Sequence, residues 1–182
     1  MKIIMLDSAT LPLYCDELAH LLMDAVSHGA CVGYNSNLHH KEADNYFQSL
    51  QPALKKGARL LWVATHNNKA IGTVQLELCQ KPNGRNRAEI QKLLVHSKAR
   101  RNGVGRALME TLEMTAQSLR RGLLYLDTQA GSAAENLYHS LDYCRLGEIP
   151  DYATTPNGDY HPTAIYYKRL FNLDLASNSV AT

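Results

Sequence analysis

Residues 96–109, HSKARRNGVGRALM, concentrate positive charge beside two glycines, directly before a helical pattern. The start of a helix presents free N–H groups and the positive end of the helix dipole, which together bind anions such as phosphate. Gly103 and Gly105 would let a ligand approach that backbone closely, because they carry no Cβ. The stretch therefore fits a phosphate-binding loop. A helix capped by Asn102, with a solvated basic rim, is the simpler alternative.

Two common phosphate-binding motifs do not match this loop. A Walker loop requires Gly-Lys followed by Ser or Thr, whereas this chain has Arg106 and Ala107 there. A dinucleotide fingerprint requires a third glycine three residues after the second, where this chain has Leu108. Nucleoside triphosphates, nicotinamide cofactors and flavins are therefore disfavoured as ligands.

The elements around the loop alternate between strand-like and helical patterns. Residue composition and alternation predict strands at 2–6, 58–66, 70–80, 88–95, 122–127, 144–149 and 163–170. Apolar periodicity predicts helices over 13–26, over 38–57 with a kink at Pro52, directly after the loop, and over 132–141. No repeat or linker interrupts this series, so we expect one domain over 1–171, followed by a flexible tail over 172–182.

The composition limits the classes of function. The 182 residues suit a single domain, and the net charge of +2 is too small to indicate general binding to nucleic acid or membrane. No apolar run approaches the roughly 18 residues that a membrane span needs. The four cysteines form no C-x-x-C pair and no signal-peptide pattern is present, so a cytoplasmic location is expected. The eight histidines show no ligand spacing, and no metal is expected.

The pattern R-x-x-G-x-G, formed by Arg100, Gly103 and Gly105 between a strand and a helix, resembles the acetyl-CoA pyrophosphate loop of the GNAT superfamily of N-acetyltransferases. SAAENLYHSLDY, residues 132–143, is similar to the helix whose Leu-Tyr pair lies against the cofactor thiol. This resemblance implies an α/β GNAT fold, with a mixed sheet of about seven strands that splays between the fourth and fifth. It also implies about four flanking helices, acetyl-CoA as cofactor, and acetyl transfer as the reaction.

The resemblance assigns the cofactor contacts to the fourth strand and to the loop. The backbone of the strand would bond the pantetheine arm in the manner of an added strand, and the loop would wrap the pyrophosphate. The strand residues are Leu93, Leu94 and Val95, and the loop residues are Arg100, Arg101, Asn102, Gly103, Val104, Gly105 and Arg106.

Acetyl transfer to an amine needs a base, because an ammonium with a pKa of about 10.4 is only about one part in a thousand neutral near pH 7.4. The resemblance nominates Glu89, on a strand face that alternation predicts to include Gln91, Leu93 and Val95. Leu93 carries the N–H that polarises the acetyl carbonyl in the superfamily, and it lies roughly 13 Å along the strand. Glu89 would therefore act through ordered water. A salt bridge to Arg87 is the alternative.

Asp127 and Tyr138 complete the predicted catalytic set. The resemblance places Asp127 at the gap between the splayed strands, where it would hold the acceptor ammonium or share the role of base; a strand-end cap is the alternative. Tyr138 would donate a proton or a hydrogen bond to the leaving thiolate. Its alternative role is packing in the core, since helical spacing puts it on the buried side.

The acceptor is less constrained than the cofactor. Tyr34, Trp62 and Tyr152 are candidate contacts. Residues 78–95, 122–138 and 147–168 are similar to stretches of the tabtoxin-resistance acetyltransferases, GNAT enzymes that inactivate a β-lactam toxin by acetylation.

The expected function is therefore acetyl-CoA-dependent acetylation of a small-molecule acceptor by direct attack on the thioester, in toxin or antibiotic resistance. A protein lysine or N-terminal acetyltransferase and a non-catalytic CoA-binding sensor are the alternatives. We expect no nucleic acid or membrane partner, and a homodimer through the C-terminal strands is common in the superfamily.

Overall fold

The computed structural model describes residues 1–172, whose seven strands form one mixed sheet. The strands are β1 (Lys2–Leu6), β2 (Arg59–His66), β3 (Lys69–Leu78), β4 (Arg87–Val95), β5 (Leu123–Gln129), β6 (Cys144–Thr154) and β7 (Tyr160–Arg169). Their spatial order is β1-β2-β3-β4-β5-β7-β6, and only the β4–β5 pair is parallel. The predicted α/β class and the seven strands are confirmed.

Five α-helices flank the sheet in this part of the chain. They are α1 (Cys15–Ser27), α2 (His40–Ser49), α3 (Gln51–Lys55), α4 (Val104–Ser118) and α5 (Ala133–Ser140). The predicted second helix is divided into α2 and α3 just before Pro52, which occupies the first turn of α3. None of these helices combines the length and apolarity needed to cross a membrane. The predicted tail lies outside the described residues apart from Asn172.

The β2–β3 hairpin is formed as its turn residues predict. Asn67 and Asn68 adopt positive φ angles of 50° and 60°. Asparagine tolerates this left-handed region, and two such residues make the tight turn that matches the twist of a hairpin. The hairpin provides two of the central strands, to which β4 is added.

Both faces of the sheet are covered. Along β2, Leu61 and Val63 belong to the core beneath α1 and α2, whereas Trp62 and Ala64 belong to the core beneath α4. Each large apolar side chain that is fully buried contributes about 1.5–3 kcal/mol to folding. The two cores therefore fix α1 and α4 on opposite sides of the central strands.

Strands β4 and β5 pair only at their beginnings. Arg87, Ala88 and Glu89 pair with Leu123, Leu124 and Tyr125, and no further partners follow. The remainder of each strand diverges from the other, which is the predicted splay. The edge of β4 beyond Glu89 is consequently left without a strand partner on the β5 side.

A β-bulge interrupts β4 where the strands separate. Gln91 pairs with Gln75 and Leu94 with Thr73, so two residues of β4 oppose a single residue of β3. Lys92 adopts a φ of 49° at this point. Such a bulge bends its strand and shifts the side-chain alternation by one position.

The predicted common face of Glu89, Gln91, Leu93 and Val95 is wrong for this reason. Leu93 and Val95 pack against the α4-side core, which also contains Ala88 and Ile90. Leu94 instead belongs to the α1-side core. Glu89 and Leu93 therefore point to opposite faces of the sheet.

Helix α1 is tied to the segment between β4 and α4. The Asp24 carboxylate accepts hydrogen bonds from the backbone N–H and from the hydroxyl of Ser97, both at 2.7 Å. His28 Nδ1 and His96 Nε2 lie 3.5 and 3.9 Å from the same carboxylate. Burial raises the pKa of Asp24, but the hydrogen bonds from Ser97 and the charges of the two histidines outweigh it, so the net pKa is lowered.

We expect Asp24→Asn to lower the free energy of unfolding at pH 7 by about 1–3 kcal/mol, because a charged acceptor of two hydrogen bonds is lost. A carboxyl whose pKa is lowered on folding stabilises the protein above its ordinary pKa, and this contribution is lost as the pH falls through the folded-state value. The difference in the free energy of unfolding between wild type and variant should therefore shrink when the pH falls below 3.8, the ordinary pKa of this carboxyl. Urea unfolding at pH 7 and near pH 3 measures it.

Asp159→Asn is the matched control, because Asp159 is exposed in the turn between β6 and β7. An equal loss of stability in this control, or a difference that does not depend on pH, would contradict the role given to Asp24.

Candidate active site

A cavity of about 990 Å³ opens where β4 and β5 separate. Its walls are formed by residues 28–33 after α1, by β4, by the loop before α4, by the end of β5 with α5, by the end of β6 and by the start of β7. A volume of this size is typical of a cavity that holds a cofactor or another small ligand. The divergence of two adjacent strands therefore creates the site.

The loop before α4 presents an uncapped helix start to the cavity. Gly103 occupies the N-cap position with a φ of 76°, and as a glycine it has no side chain that could cap the helix. The predicted alternative of a cap by Asn102 is wrong, since Asn102 Nδ2 donates instead to the carbonyl oxygens of Ala99 and Arg100 at 3.4 and 3.2 Å. The first N–H groups of α4 thus remain available for an anion.

The second glycine of the loop lets α4 approach α5. A Cβ at Gly105 would lie 3.2 Å from Leu137 Cδ2. Arg106 reinforces this contact, because its Nη2 lies 2.8 Å from the hydroxyl of Ser140 and 3.3 Å from its carbonyl oxygen. The loop and α5 are therefore packed together on one side of the cavity.

Three arginines add positive charge to the cavity wall. Arg100, Arg101 and Arg106 all line it, and Arg100 Nε donates to the carbonyl oxygen of Val95 at 3.2 Å. Arg101 adopts a φ of 63°, so the backbone turns sharply at this residue. Positive side chains beside free N–H groups suit a ligand with clustered phosphate charge.

The unpaired edge of β4 forms another wall. Leu93, Leu94 and Val95 line the cavity. Strand β5 does not pair with the backbone of these three residues. An extended chain of amides could add there as a strand and bond the backbone groups. The free backbone edge and the positively charged loop therefore lie on the same cavity.

Two carboxylates line the same cavity. Glu89 is half-buried, and its Oε2 accepts a hydrogen bond from Tyr125 Oη at 3.4 Å. Asp127 is exposed at the end of β5, where its Oδ2 lies 3.1 Å from Thr163 Oγ1. Burial first, and then the charge of Glu89, raise the pKa of Tyr125. This phenol therefore stays protonated and can donate to the carboxylate.

Tyr138 belongs both to the core and to the cavity wall. It is 5% exposed, and its ring lies 5.8 Å from that of Tyr143 and 5.7 Å from that of Tyr166. Burial, and secondly the charge of Asp127, raise the pKa of Tyr138 well above its ordinary range. The hydroxyl is therefore a proton donor at neutral pH. Its buried ring does not conflict with a role at the cavity.

Lys92 is a cavity residue that the sequence analysis missed. Its Nζ donates to the carbonyl oxygen of Val32 at 2.8 Å and lies 5.6 Å from the centre of the Tyr46 ring. No carboxylate within residues 1–172 forms an ion pair with it. Burial lowers the pKa of Lys92, although the charge of Asp127 opposes that shift. The only sequence signal was a lysine that breaks an otherwise apolar strand end.

The three predicted acceptor contacts lie in different environments. Tyr152 lines the cavity near the end of β6. Tyr34 is not part of the lining and packs edge-on against Tyr46, with 6.1 Å between ring centres. Trp62 is only 2% exposed and lies in the α4-side core, because it points inward from a central strand. The interpretation of Trp62 as an acceptor contact is therefore abandoned.

Comparisons with known proteins agree with this geometry. Residues 16–143 match the acetyltransferase (GNAT) family. The chain resembles the ribosomal-protein-alanine N-acetyltransferase of Brucella melitensis, with a TM-score of 0.75 and 23% identity over 93% of this chain and 99% of that one. A candidate acetyltransferase of Salmonella typhimurium, solved with its cofactor acetyl-CoA, matches with a TM-score of 0.75 and 18% identity over 95% of both chains.

A candidate phosphinothricin N-acetyltransferase has a TM-score of 0.73 and 16% identity, over 94% of this chain and 99% of that one. These structural likenesses concern the fold, whereas the family match spans most of the sequence. With its splayed sheet, its R-x-x-G-x-G loop and this match, the chain belongs to the acetyltransferase (GNAT) family, whose members use acetyl-CoA.

Proposed function

We propose that this acetyltransferase acetylates a small-molecule acceptor that carries a carboxylate beside its amine, by direct attack of the amine on the thioester. The observation that carries the proposal is Lys92, an ammonium group at the cavity wall that forms no ion pair with a carboxylate among residues 1–172 and donates only to the carbonyl oxygen of Val32. A partly buried charge is costly unless it is paired. A carboxylate of the acceptor would supply the missing partner.

The size of the cavity supports a small acceptor, since a volume of about 990 Å³ lies in the range of cavities that hold small ligands. Residues 28–33 line it on the β4 side, and Tyr152 and His161 line it beyond β5. The similarity to tabtoxin-resistance acetyltransferases over 78–95, 122–138 and 147–168 supports the same acceptor class, and toxin or antibiotic inactivation is the corresponding role.

Acetyl-CoA, when bound, supplies the acetyl group as an activated thioester. We assign the pantetheine contacts to the free backbone edge of β4 and the pyrophosphate contacts to the loop before α4. The edge residues are Leu93, Leu94 and Val95, and the loop residues are Arg100, Arg101, Gly103, Val104, Gly105 and Arg106. Asn102 would shape the loop through its hydrogen bonds to backbone carbonyls rather than touch the ligand.

Proton transfer falls to residues on both sides of the gap. Glu89, bonded by Tyr125, takes a proton from the acceptor ammonium through ordered water, and Asp127 holds that ammonium beside it. Tyr138 holds the proton on its Oη at neutral pH, because burial raises its pKa. Tyr138 can therefore donate this proton to the thiolate that leaves.

The β6 edge of the sheet supports the proposal of a homodimer. Leu146 and Ile149 are 72% and 45% exposed on this strand. Exposed apolar side chains on an edge strand are typical of a surface that pairs with another chain.

Replacement of the loop residues should raise the KM for acetyl-CoA. We expect Arg100→Ala with Gly103→Val to raise it by about tenfold to a thousandfold, because a charge-assisted bond is lost and a β-branched residue is strained at a φ of 76°. Steady-state kinetics at saturating acceptor measures this change. Arg85→Ala is the control, since Arg85 is exposed and does not line the cavity. An unchanged KM in the loop variant would contradict the assignment.

Removal of the proposed proton carriers should lower kcat. We expect Glu89→Gln and Tyr138→Phe each to reduce it about a hundredfold or more, with little change in the KM for acetyl-CoA. In Glu89→Gln the remaining rate should rise steeply with pH, since the amine must lose its proton unaided. Asp127→Asn tests which carboxylate is the principal base.

Tyr143→Phe is the matched control for Tyr138→Phe, because Tyr143 packs against the same ring but does not line the cavity. Full activity in the combined Glu89→Gln and Tyr138→Phe variant would refute the mechanism.

The acceptor class can be tested with matched pairs of amines. Thiol release from acetyl-CoA should be faster with amino acids and amino-acid-like toxins than with the same amines lacking the carboxylate. Lys92→Met should reduce kcat/KM about tenfold or more for the carboxylate-bearing member only, because the cation is removed while most of the apolar part of the side chain is kept. Equal loss for both members would contradict the proposed contact. Preference for protein or peptide amines would favour the N-terminal or lysine acetyltransferase, and binding without turnover would favour the sensor.

A further inference from the structure

A second group of ligand-type side chains lies where α1 meets the start of α2, outside the residues that line the cavity. Asp16 and His20 are four residues apart on α1 and therefore share a face. His40 is the first residue of α2. A carboxylate oxygen of Asp16 and one ring nitrogen of each histidine all lie within 4.8 Å of one another. The sequence analysis expected no metal, because the spacing of the histidines along the chain does not show that the fold brings these three residues together.

The separations suit one small metal ion. His40 Nε2 lies 3.0 Å from Asp16 Oδ1, and the ring centres of His20 and His40 are 4.7 Å apart. Ligand atoms held about 2.0–2.2 Å from a tetrahedral ion are separated by roughly 3.3–3.6 Å. Small side-chain rotations would therefore suffice, without movement of the helices.

The ring of His40 has a shielded nitrogen that faces a carboxylate without forming an aligned hydrogen bond. Its Nε2 is shielded from solvent and forms no hydrogen bond within the described residues, because its contact with Asp16 lacks the required angles. A metal ion would accept its lone pair and satisfy it.

His20 is oriented as metal-binding histidines commonly are. A ligating imidazole usually donates its other ring N–H to a carbonyl or carboxylate oxygen. His20 Nδ1 lies 2.9 Å from the backbone oxygen of Asp16 and 3.6 Å from its Oδ2, so Nε2 would be the nitrogen left to bind an ion. Two imidazoles and a carboxylate suit Zn²⁺ and related transition metals better than Mg²⁺ or Ca²⁺, which prefer oxygen ligands.

We propose that Asp16, His20 and His40 bind one divalent transition-metal ion, with Zn²⁺ as the first candidate and water in the remaining position. The ion joins α1 to α2, and so restrains residues 28–39 between them, the first part of which lines the cavity. The site therefore stabilises the acceptor side of the enzyme without taking part in acetyl transfer.

Titration of chelator-treated protein with Zn²⁺ alone tests the site. We expect one equivalent to bind with a micromolar or lower Kd and to raise Tm, and Co²⁺ to give the visible absorption of a four-coordinate site. His20→Gln and His40→Ala should each weaken Zn²⁺ binding about tenfold or more. Because the His20 side chain is 65% exposed, His20→Gln leaves the fold intact even if His40→Ala does not.

His39→Ala is the matched control, because His39 is exposed, adjacent to His40 and outside the cluster. It should bind Zn²⁺ as wild type does. Two results would overturn the proposal: failure of wild type to bind stoichiometrically, or unchanged affinity in His20→Gln, which would place the ion elsewhere, for example on the exposed Cys144.

Discussion

The loss of pairing between β4 and β5 beyond Glu89 and Tyr125 is the constraint around which the molecule is arranged. Backbone groups in the middle of a sheet are normally paired, and leaving them free inside a protein is costly. Here the free edge faces a cavity, so water or an extended ligand can satisfy it. The loop, the carboxylates and α5 all lie around this opening because the opening is where backbone and side chains can both reach a ligand.

The bulge at Lys92 determines which side chains of β4 lie on each face of the sheet beside the cavity. One additional residue turns Leu94 toward the α1-side core and leaves Leu93 and Val95 on the α4 side. It also holds a lysine in the left-handed region, a strain of about 1–3 kcal/mol for a residue other than glycine. Strain and a desolvated ammonium at one position are both unfavourable for folding. Both features lie in the wall of the cavity.

The periodicity of apolar residues predicted most of the fold, because it reflects directly which side chains are buried. The alternation of apolar residues correctly predicted strand β2, and the two asparagines correctly predicted the hairpin turn that follows it. The apolar face of α1 correctly predicted a helix. The bulge escaped prediction, since no residue type distinguishes a one-residue insertion from regular alternation. The burial of Trp62 and the clustering of Asp16, His20 and His40 were not predicted, because depth in a core and contacts between distant residues depend on tertiary packing. The roles of the cavity residues, which came from family resemblance, remain predictions.

The contact between α4 and α5 links two parts of the site that sequence treats as separate motifs. Gly105 lies against Leu137, and Arg106 bonds Ser140, on either side of Tyr138. The position of the tyrosine is therefore set by the same residues that shape the start of α4. A relative that acquired a side chain at position 105 would need a smaller residue at position 137, so the two motifs should change together during divergence.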